Sequence, residues 1–167
     1  MITTDRLLIR PIELEDAAFI LELVNTDPYL NFIGNRNVTS LALAKEFIQA
    51  KMLDHFEKHG YGNSLILDKD TLTPYGTVSL FNRDNIEVVD LGFAVHPDHF
   101  RKGIAFEASS AVMYYSKHIL NFEKLSAITS KVNTASNQLI QKLGFTYKKL
   151  INWENTEEKL LYYEIDL

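Results

Sequence analysis

Apolar and polar residues alternate with changing period along the chain, and each change marks an element. Leu7, Ile9 and their neighbours predict a first strand. Leu14, Ala17, Leu21 and Val24 then recur at helical spacing behind acidic residues, in a helix that ends before Pro28. A second helix opens at Thr39 or Ser40, carries Leu41, Ala44, Ile48, Met52 and Phe56 on one stripe and stops near Gly60. From Asn63 the period falls to two. Ser64–Leu67, Tyr75–Phe81 and Ile86–Val95 read as three strands of an antiparallel meander, separated by Asp/Thr/Pro and Asn/Arg/Asp/Asn turn clusters. A long helix follows from about Gly103 to His118, with Ala105, Ala108, Val112, Tyr115 and Ile119 on its buried face. The next strand, Leu125–Lys131, completes a βαβ crossover, so it lies parallel to Ile86–Val95. A helix at Thr134–Leu143, closed by Gly144, precedes two β-rich segments, Phe145–Trp153 and Lys159–Ile165. The expected architecture is a mixed α/β sheet.

Composition narrows the chemistry. The 167 residues suit a single domain spanning 1–167, with no repeat, low-complexity tract or linker to divide it. No stretch approaches the roughly 20 apolar residues of a membrane span, and no apolar secretory core follows the N-terminus, so a soluble cytoplasmic protein is expected. The chain contains no cysteine, which excludes disulfides, thiolate metal sites and a cysteine nucleophile. A net charge of −5 argues against nucleic acid as a partner, because that affinity rests on Lys and Arg. His55 and His59 lie one helical turn apart, but Phe56 stands where a zinc-protease helix needs Glu, so both read as surface residues and no metal is expected.

The run from Val95 to Ala105 ends a strand and begins a helix, leaving backbone N–H groups without intrahelical acceptors. Gly103 lacks a Cβ and Ala105 carries only a methyl, so a diphosphate can approach the main chain, while Arg101 and Lys102 add positive charge. An ordinary helix start with two exposed cations explains the same spacing equally well. His96 and His99 flank this turn, either as donors to a phosphate or merely as exposed loop residues. No G-x-x-x-x-G-K-[ST] or G-x-G-x-x-G run occurs, which argues against a nucleoside triphosphatase or a dinucleotide-dependent dehydrogenase.

Asp90-Leu91-Gly92-Phe93-Ala94-Val95 followed by Phe100-Arg101-Lys102-Gly103-Ile104-Ala105-Phe106-Glu107-Ala108 resembles the acyl-CoA motif of the GNAT N-acetyltransferases. Asn133-Thr134-Ala135-Ser136, with Leu139, Lys142, Leu143, Gly144 and Phe145, is similar to that superfamily's second signature. The opening Thr4-Asp5-Arg6-Leu7-Leu8-Ile9-Arg10, with Asp16-Ala17 beyond it, resembles the Rim-type branch, the ribosomal-protein N-terminal acetyltransferases. Phe100, in a position often Gln or Arg across the superfamily, also resembles that branch. The resemblance implies about seven mostly antiparallel strands with a parallel, splayed central pair, and about four helices. It implies acetyl-CoA as co-substrate, its pantetheine along the Phe93, Ala94 and Val95 edge and its diphosphate on Arg101, Lys102, Gly103, Ile104 and Ala105.

Acyl transfer to an amine needs a neutral amine, a polarised carbonyl and an exit for the thiolate. Strand periodicity puts Val89, Leu91, Phe93 and Val95 on one face and Val88, Asp90, Gly92 and Ala94 on the other, so Asp90 sits among small residues. A half-buried carboxylate there suits a general base, although a solvent-facing strand Asp is the plain alternative. The resemblance favours the base, since Rim-type enzymes tend to carry a Glu in that place. Asn133 and Ser136 read as helix caps; the resemblance gives Asn133 a contact with the cofactor arm or a water, and Ser136 a place near the sulfur as a proton donor. The Tyr that many superfamily members use as acid is replaced by Ile140.

A peptide α-amine with pKa ~7.7–8.0 gives up its proton at pH 7 for about 1.4 kcal/mol, against more than ~4 kcal/mol for a Lys-like amine. One Asp base therefore suits a protein or peptide N-terminus as leading acceptor, with polyamines, amino sugars or amino acids next and a non-catalytic CoA-binding module as the alternative class. The acceptor groove is expected between Tyr29, Phe32, Ile33 and Asn35 and the hairpin around Asn152 to Glu158, although their aromatics suit core capping equally. An edge strand near the C-terminus leaves both monomer and homodimer open.

Overall fold

A computed structural model of the chain describes residues 1–84, 86–152 and 158–167. Eight strands form one sheet: β1 Ile2–Thr3, β2 Leu7–Pro11, β3 Asn63–Asp68, β4 Pro74–Arg83, β5 Ile86–Val95, β6 Lys124–Ser130, β7 Thr146–Asn152 and β8 Lys159–Asp166. Their spatial order is β1-β2-β3-β4-β5-β6-β8-β7. All neighbours are antiparallel except β5 and β6, as the helical crossover between them requires. The count exceeds the expected seven because β1 is a two-residue edge strand, too short for its periodicity to be read.

The helices are α1 Ala17–Val24, α2 Asp27–Phe32, α3 Leu41–Ile48, α4 Asp54–His59, α5 Ile104–His118 and α6 Thr134–Lys142. A π-helical stretch, Gln49–Leu53, joins α3 to α4 without a break, so the predicted second helix is one rod with a widened turn. Its start is fixed by Ser40, whose hydroxyl accepts the Leu43 N–H. α2 exceeds the expected number of helices. Pro28 begins it rather than merely following α1, because a ring lacking N–H costs nothing in a helix's first turn. Tyr29 and Phe32 thus stand on this helix, and only Ile33 and Asn35 fall in the loop beyond it.

Strand pairing sorts side chains onto two faces. One face carries Leu7, Ile9, Ile66, Val78, Leu80, Leu91, Leu125, Ala127 and Tyr163, which pack with Ile104, Ala108 and Val112 of α5 and Ile140 of α6. The stripe of α5 lies beside the expected one: Ile104, Ala108, Val112 and Ser116 are buried while Ile119 is 59% exposed. Its alanines are compatible with either phase, so periodicity alone favoured the wrong one. The opposite face carries Leu65 and Leu67 beneath Ile12, Ala17, Ile20, Val24, Ala44, Ile48 and Met52. Continuing across that second face, Phe81 opposes Asp90, Asp90 opposes Ser126, and Ser126 opposes Glu164. A polar row thereby crosses the middle of the sheet beside the apolar half.

Two features hold β4 against β5 and prepare the gap beyond. A Cβ on Gly76 would overlap the Ala94 carbonyl oxygen and stand 2.8 Å from Val95 Cα, so the strands approach closely only because the side chain is absent. On the other side, β5 pairs with β6 at one position, Asp90 with Ser126, and the Ser126 hydroxyl donates to the Val88 carbonyl at 2.9 Å. Past Asp90 the two parallel strands part company.

Candidate active site

Asp90 stands at the fork where β5 and β6 separate, on the face predicted from alternation, but it is deeper than expected, with 1% of its surface accessible. Arg83 on β4 donates Nε–H to Asp90 Oδ2 at 2.7 Å. Among the described residues no hydrogen-bond donor meets Asp90 Oδ1. Burial pushes the carboxyl above its ordinary pKa, and the Arg83 charge and hydrogen bond oppose that rise without cancelling it. The Ile128 N–H on β6 favours the charged form more weakly, from outside the distance and angle of a hydrogen bond to Oδ1. A carboxylate fixed through one oxygen and orphaned at the other is a costly arrangement for a fold and a useful one for accepting a proton.

The fork has further polar groups that the sequence did not single out. Tyr162 of β8, 4% exposed, donates its hydroxyl proton to Glu164 Oε1 at 2.7 Å. Burial, then this carboxylate, holds the phenol above its usual pKa, and the Asp90 charge adds to the effect. The Tyr162 hydroxyl proton is engaged with Glu164, on β8 and away from the α6 position of Ile140. Ile140 is itself 2% exposed in the core, where a phenol would need a buried partner. Arg83, Tyr162 and Glu164 become neighbours of Asp90 only through strand register. The one hint of Arg83 in the sequence was its place in the turn of the Asp90 hairpin.

The turn before α5 has the form of an anion cradle. Arg101 and Gly103 adopt left-handed backbone, with φ 60° and 77°, and alternate with right-handed or extended neighbours. Gly103 is the N-cap of α5 without a side-chain cap, so the first N–H groups of a 15-residue helix have no side chain covering them. The glycine is therefore required by its dihedral and not by space, since a Cβ there would meet nothing nearer than an Arg6 guanidinium nitrogen at 3.4 Å. Alternating backbone of this kind turns successive N–H groups toward one point, which suits phosphate oxygens. Arg101 and Lys102 are exposed beside it, and Ile104 anchors the helix start in the core while Ala105 is half-buried.

A strap from the N-terminus braces this turn. Arg6 donates Nη1–H to the Lys102 carbonyl at 3.0 Å and pairs with Glu107 at 2.6 Å, while the Thr4 hydroxyl donates to Glu107 at 2.5 Å. Burial would raise the Glu107 pKa, but the hydrogen bonds from Thr4 and Arg6 hold it below the usual value. His96 caps the short turn after β5 by accepting the Asp98 N–H, and His99 packs against Tyr75 with ring centroids 4.4 Å apart. Burial lowers the His99 pKa, and the charges of Lys102 and His96 act in the same direction.

Phe93, Ala94 and Val95 line the β5 edge beyond the fork, where no β6 ladder partner faces them. Across the gap, Asn133 Oδ1 caps α6 by accepting the Ser136 N–H at 3.1 Å, and Ser136 is half-buried. Asp90 and the Phe93–Val95 edge thus lie on β5, the 101–105 turn follows that strand and α6 follows β6, so all four flank the one parallel pair of the sheet. In the expected acceptor region, Phe32 and Ile33 are exposed and Tyr29 packs against the α1–α3 core. Of the hairpin half of that groove, expected around Asn152 to Glu158, residues 153–157 lie outside the described residues. His55 and His59, expected on the surface, are half-buried, and His55 stacks on Phe81. Among the described residues no group of three or more His, Asp or Glu side chains stands together as a metal site, and no helix is long and apolar enough to cross a membrane.

A splayed parallel pair with a glycine-opened turn and uncapped helix at its mouth is the arrangement that the motif resemblance implies. The GNAT acetyltransferase domain matches residues 6–146. The chain belongs to the GNAT acetyltransferase family. A curated relative, the uncharacterized N-acetyltransferase YoaA of Bacillus subtilis (strain 168), is 30% identical over 146 residues, covering 87% of this chain and 82% of YoaA. The fold also matches solved acetyltransferases at lower identity, among them the following two. One is the spermidine N-acetyltransferase of Vibrio cholerae in complex with CoA and spermine, with TM-score 0.80, 19% identity and coverage of 98% and 96%. The other is the ribosomal-protein-S5-alanine acetyltransferase of Vibrio fischeri, with TM-score 0.79, 17% identity and coverage of 98% and 94%. As a GNAT member the chain is an acetyl-CoA-dependent N-acetyltransferase. Its fold relatives act on both protein and small-molecule amines, so the family leaves the acceptor open.

Proposed function

We propose that this GNAT acetyltransferase uses Asp90 as the base that frees an acceptor amine, and that a protein or peptide N-terminal α-amine is its leading acceptor. The observation that carries the reading is the buried, unpartnered Asp90 Oδ1 at the mouth of the strand fork. Acetyl-CoA supplies a thioester whose carbonyl carbon bonds to the amine nitrogen as its C–S bond breaks. The chain's own groups do the rest. Asp90 Oδ1 accepts one ammonium proton, directly or through a water, and Arg83 keeps Oδ2 and hence the carboxylate plane fixed. Backbone N–H groups of Arg101 to Ala105 hold the diphosphate, with Arg101 and Lys102 as counter-charges. The edge at Phe93, Ala94 and Val95 binds the pantetheine amides in place of the strand it lacks. Asn133 orders the start of α6, and Ser136 stands on its first turn to give its proton to the departing sulfur while taking up the second proton that the nitrogen loses on becoming an amide, a transfer that a thiol pKa near ~8.5 makes easy. Cytoplasmic location accords with a coenzyme A-dependent reaction in a chain without cysteine.

One observation favours a second acceptor class, a polyamine. Asp90, Ser126 and Glu164 form one row across three strands, so the two carboxylates share a face roughly 10 Å apart, two strand spacings. That separation suits an amine that reacts at Asp90 while a second ammonium rests on Glu164. Thiol release from acetyl-CoA, measured with an Ala- or Ser-initiated peptide panel and with spermidine, decides between them. A peptide preference left intact by Glu164→Gln supports the α-amine; a spermidine KM raised by that change supports the polyamine. If acetyl-CoA binds but none of these amines releases thiol, the chain is a CoA-binding module and the catalytic reading of Asp90 is wrong.

A further inference from the structure

His55 of α4 is held at both ring nitrogens. Nδ1 lies 3.0 Å from the Tyr61 carbonyl oxygen, and Nε2 accepts the Asn82 backbone N–H at 3.2 Å. A carbonyl can only accept and a backbone N–H can only donate, so the two contacts together admit one state: a proton on Nδ1 and a lone pair on Nε2. The ring is also clamped on Phe81, with centroids 4.1 Å apart and planes 14° from parallel. Asn82 occupies an irregularity in β4. Phe81 opposes Asp90 and Arg83 opposes Ile86, and the register shifts between them, so the Asn82 N–H turns to the imidazole. The next residue along is Arg83, whose Nε–H meets Asp90. A bulge re-aims the side chains beside it, here the one that orients the buried carboxylate.

We propose that His55 is a positioning residue: its neutral Nδ1–H form holds the Asn82 bulge and thereby keeps Arg83 on Asp90, and proton uptake by the ring releases that pair. A protonated ring would set Nε2–H against the Asn82 N–H, two donors facing each other. The surroundings supply no compensating charge. His59 lies with its ring 4.5 Å away and Lys58 adds a cation, both on α4; Tyr61 from the following loop spends its hydroxyl on Asn82 Oδ1 at 2.8 Å; and on β4 the Arg83 guanidinium is already paired with Asp90. Among the described residues no carboxylate pairs with His55. Burial lowers the His55 pKa below 6.5, with His59 and Lys58 pushing the same way and the Tyr61 carbonyl and Asn82 opposing. The consequence for turnover rests on Asp90 acting as base; the linkage between His55 and Arg83 does not.

Long-range proton–nitrogen NMR of the labelled protein tests the linkage. At pH 7.5 the His55 proton is expected on Nδ1, with the Arg83 Nε–H protected from exchange. On acidification both signals change with one midpoint below 6.5, and Arg83 Nε–H exchange, corrected for its intrinsic pH dependence, rises roughly tenfold or more. His55→Gln keeps an acceptor for Asn82 without titrating, so Arg83 stays protected through the same range. A proton on Nε2 at pH 7.5, an Arg83 signal indifferent to His55, or identical acid loss in His55→Gln overturns the proposal. With whichever amine probe, spermidine or peptide, supports thiol release, the acid limb of kcat moves to lower pH in His55→Gln while the acetyl-CoA KM holds. An unmoved limb alongside an intact NMR linkage refutes the base reading of Asp90 rather than the linkage.

Discussion

Replacing Asp90 by Asn separates a carboxylate kept for chemistry from one kept for the fold. Asn retains the shape and one oxygen that can accept the Arg83 Nε–H, now at 2.7 Å from Oδ2, and replaces the proton-accepting Oδ1 by an NH2 that cannot act as a base. Loss of a positioned general base lowers kcat by roughly 10²–10⁴, about 3–5 kcal/mol in the barrier. Stability should respond in the opposite sense. The orphaned Oδ1 costs the wild type about 1–3 kcal/mol or more, and the guanidinium left behind is 28% exposed and still reaches water. The variant is therefore expected within about 1 kcal/mol of wild type, or above it. The pH dependence gives a second check. The folded pKa is raised, so the stability tied to Asp90 is complete below 3.8 and drains away as pH rises through the folded value. Asn escapes that drain, and its stability relative to wild type should climb above pH 3.8. Thiol release and urea unfolding measured on both proteins between pH 4 and 8 supply the comparison. Retained activity, or a stability loss of about 3–5 kcal/mol as for a broken structural pair, would refute the reasoning.

Other perturbations probe the scaffold around that carboxylate. Gly103→Ala forces a Cβ onto φ 77°, at about 1–2 kcal/mol, and should weaken acetyl-CoA binding by calorimetry roughly tenfold or more with kcat at saturation little changed. Gly76→Ala drives a methyl into the Ala94 carbonyl and should destabilise the protein by about 3 kcal/mol or more in denaturant titration; full stability would show that β4 can shift. Asp68 has its pKa lowered to about 2, chiefly by the Tyr75 hydroxyl and then by Thr71, so its stabilisation is present above 3.8 and lost as pH falls toward 2. Tyr75→Phe should move the Asp68 titration back toward 3.8 by carbon-detected NMR, and an unmoved curve would mean that Thr71 suffices.

The central strands and the crossover were legible because their periods are clean: alternation in Ile86–Val95 alone assigns the face of Asp90. The cradle was legible as composition, two cations and a glycine at a strand–helix junction. Its left-handed Arg101 was not, because nothing local marks that residue for positive φ. α2 was hidden by reading Pro28 as a stop, although proline ends one helix and starts another by the same missing N–H. The depth of Asp90 and its neighbours Arg83, Tyr162 and Glu164 depend on pairings between strands up to about seventy residues apart, which periodicity within one segment does not encode. Asn133 showed the reverse: the capping role read from its residue type is what the helix start displays.

The strap from Arg6 to the 101–107 turn joins segments about a hundred residues apart, so the cradle reaches its final shape only once the first strands have docked. If the turn holds the diphosphate as proposed, anion grip and N-terminal order are two readings of one equilibrium: a ligand that tightens the turn should slow amide exchange in β1 and β2, and fraying of residues 1–6 should loosen the coenzyme's hold without touching the fork.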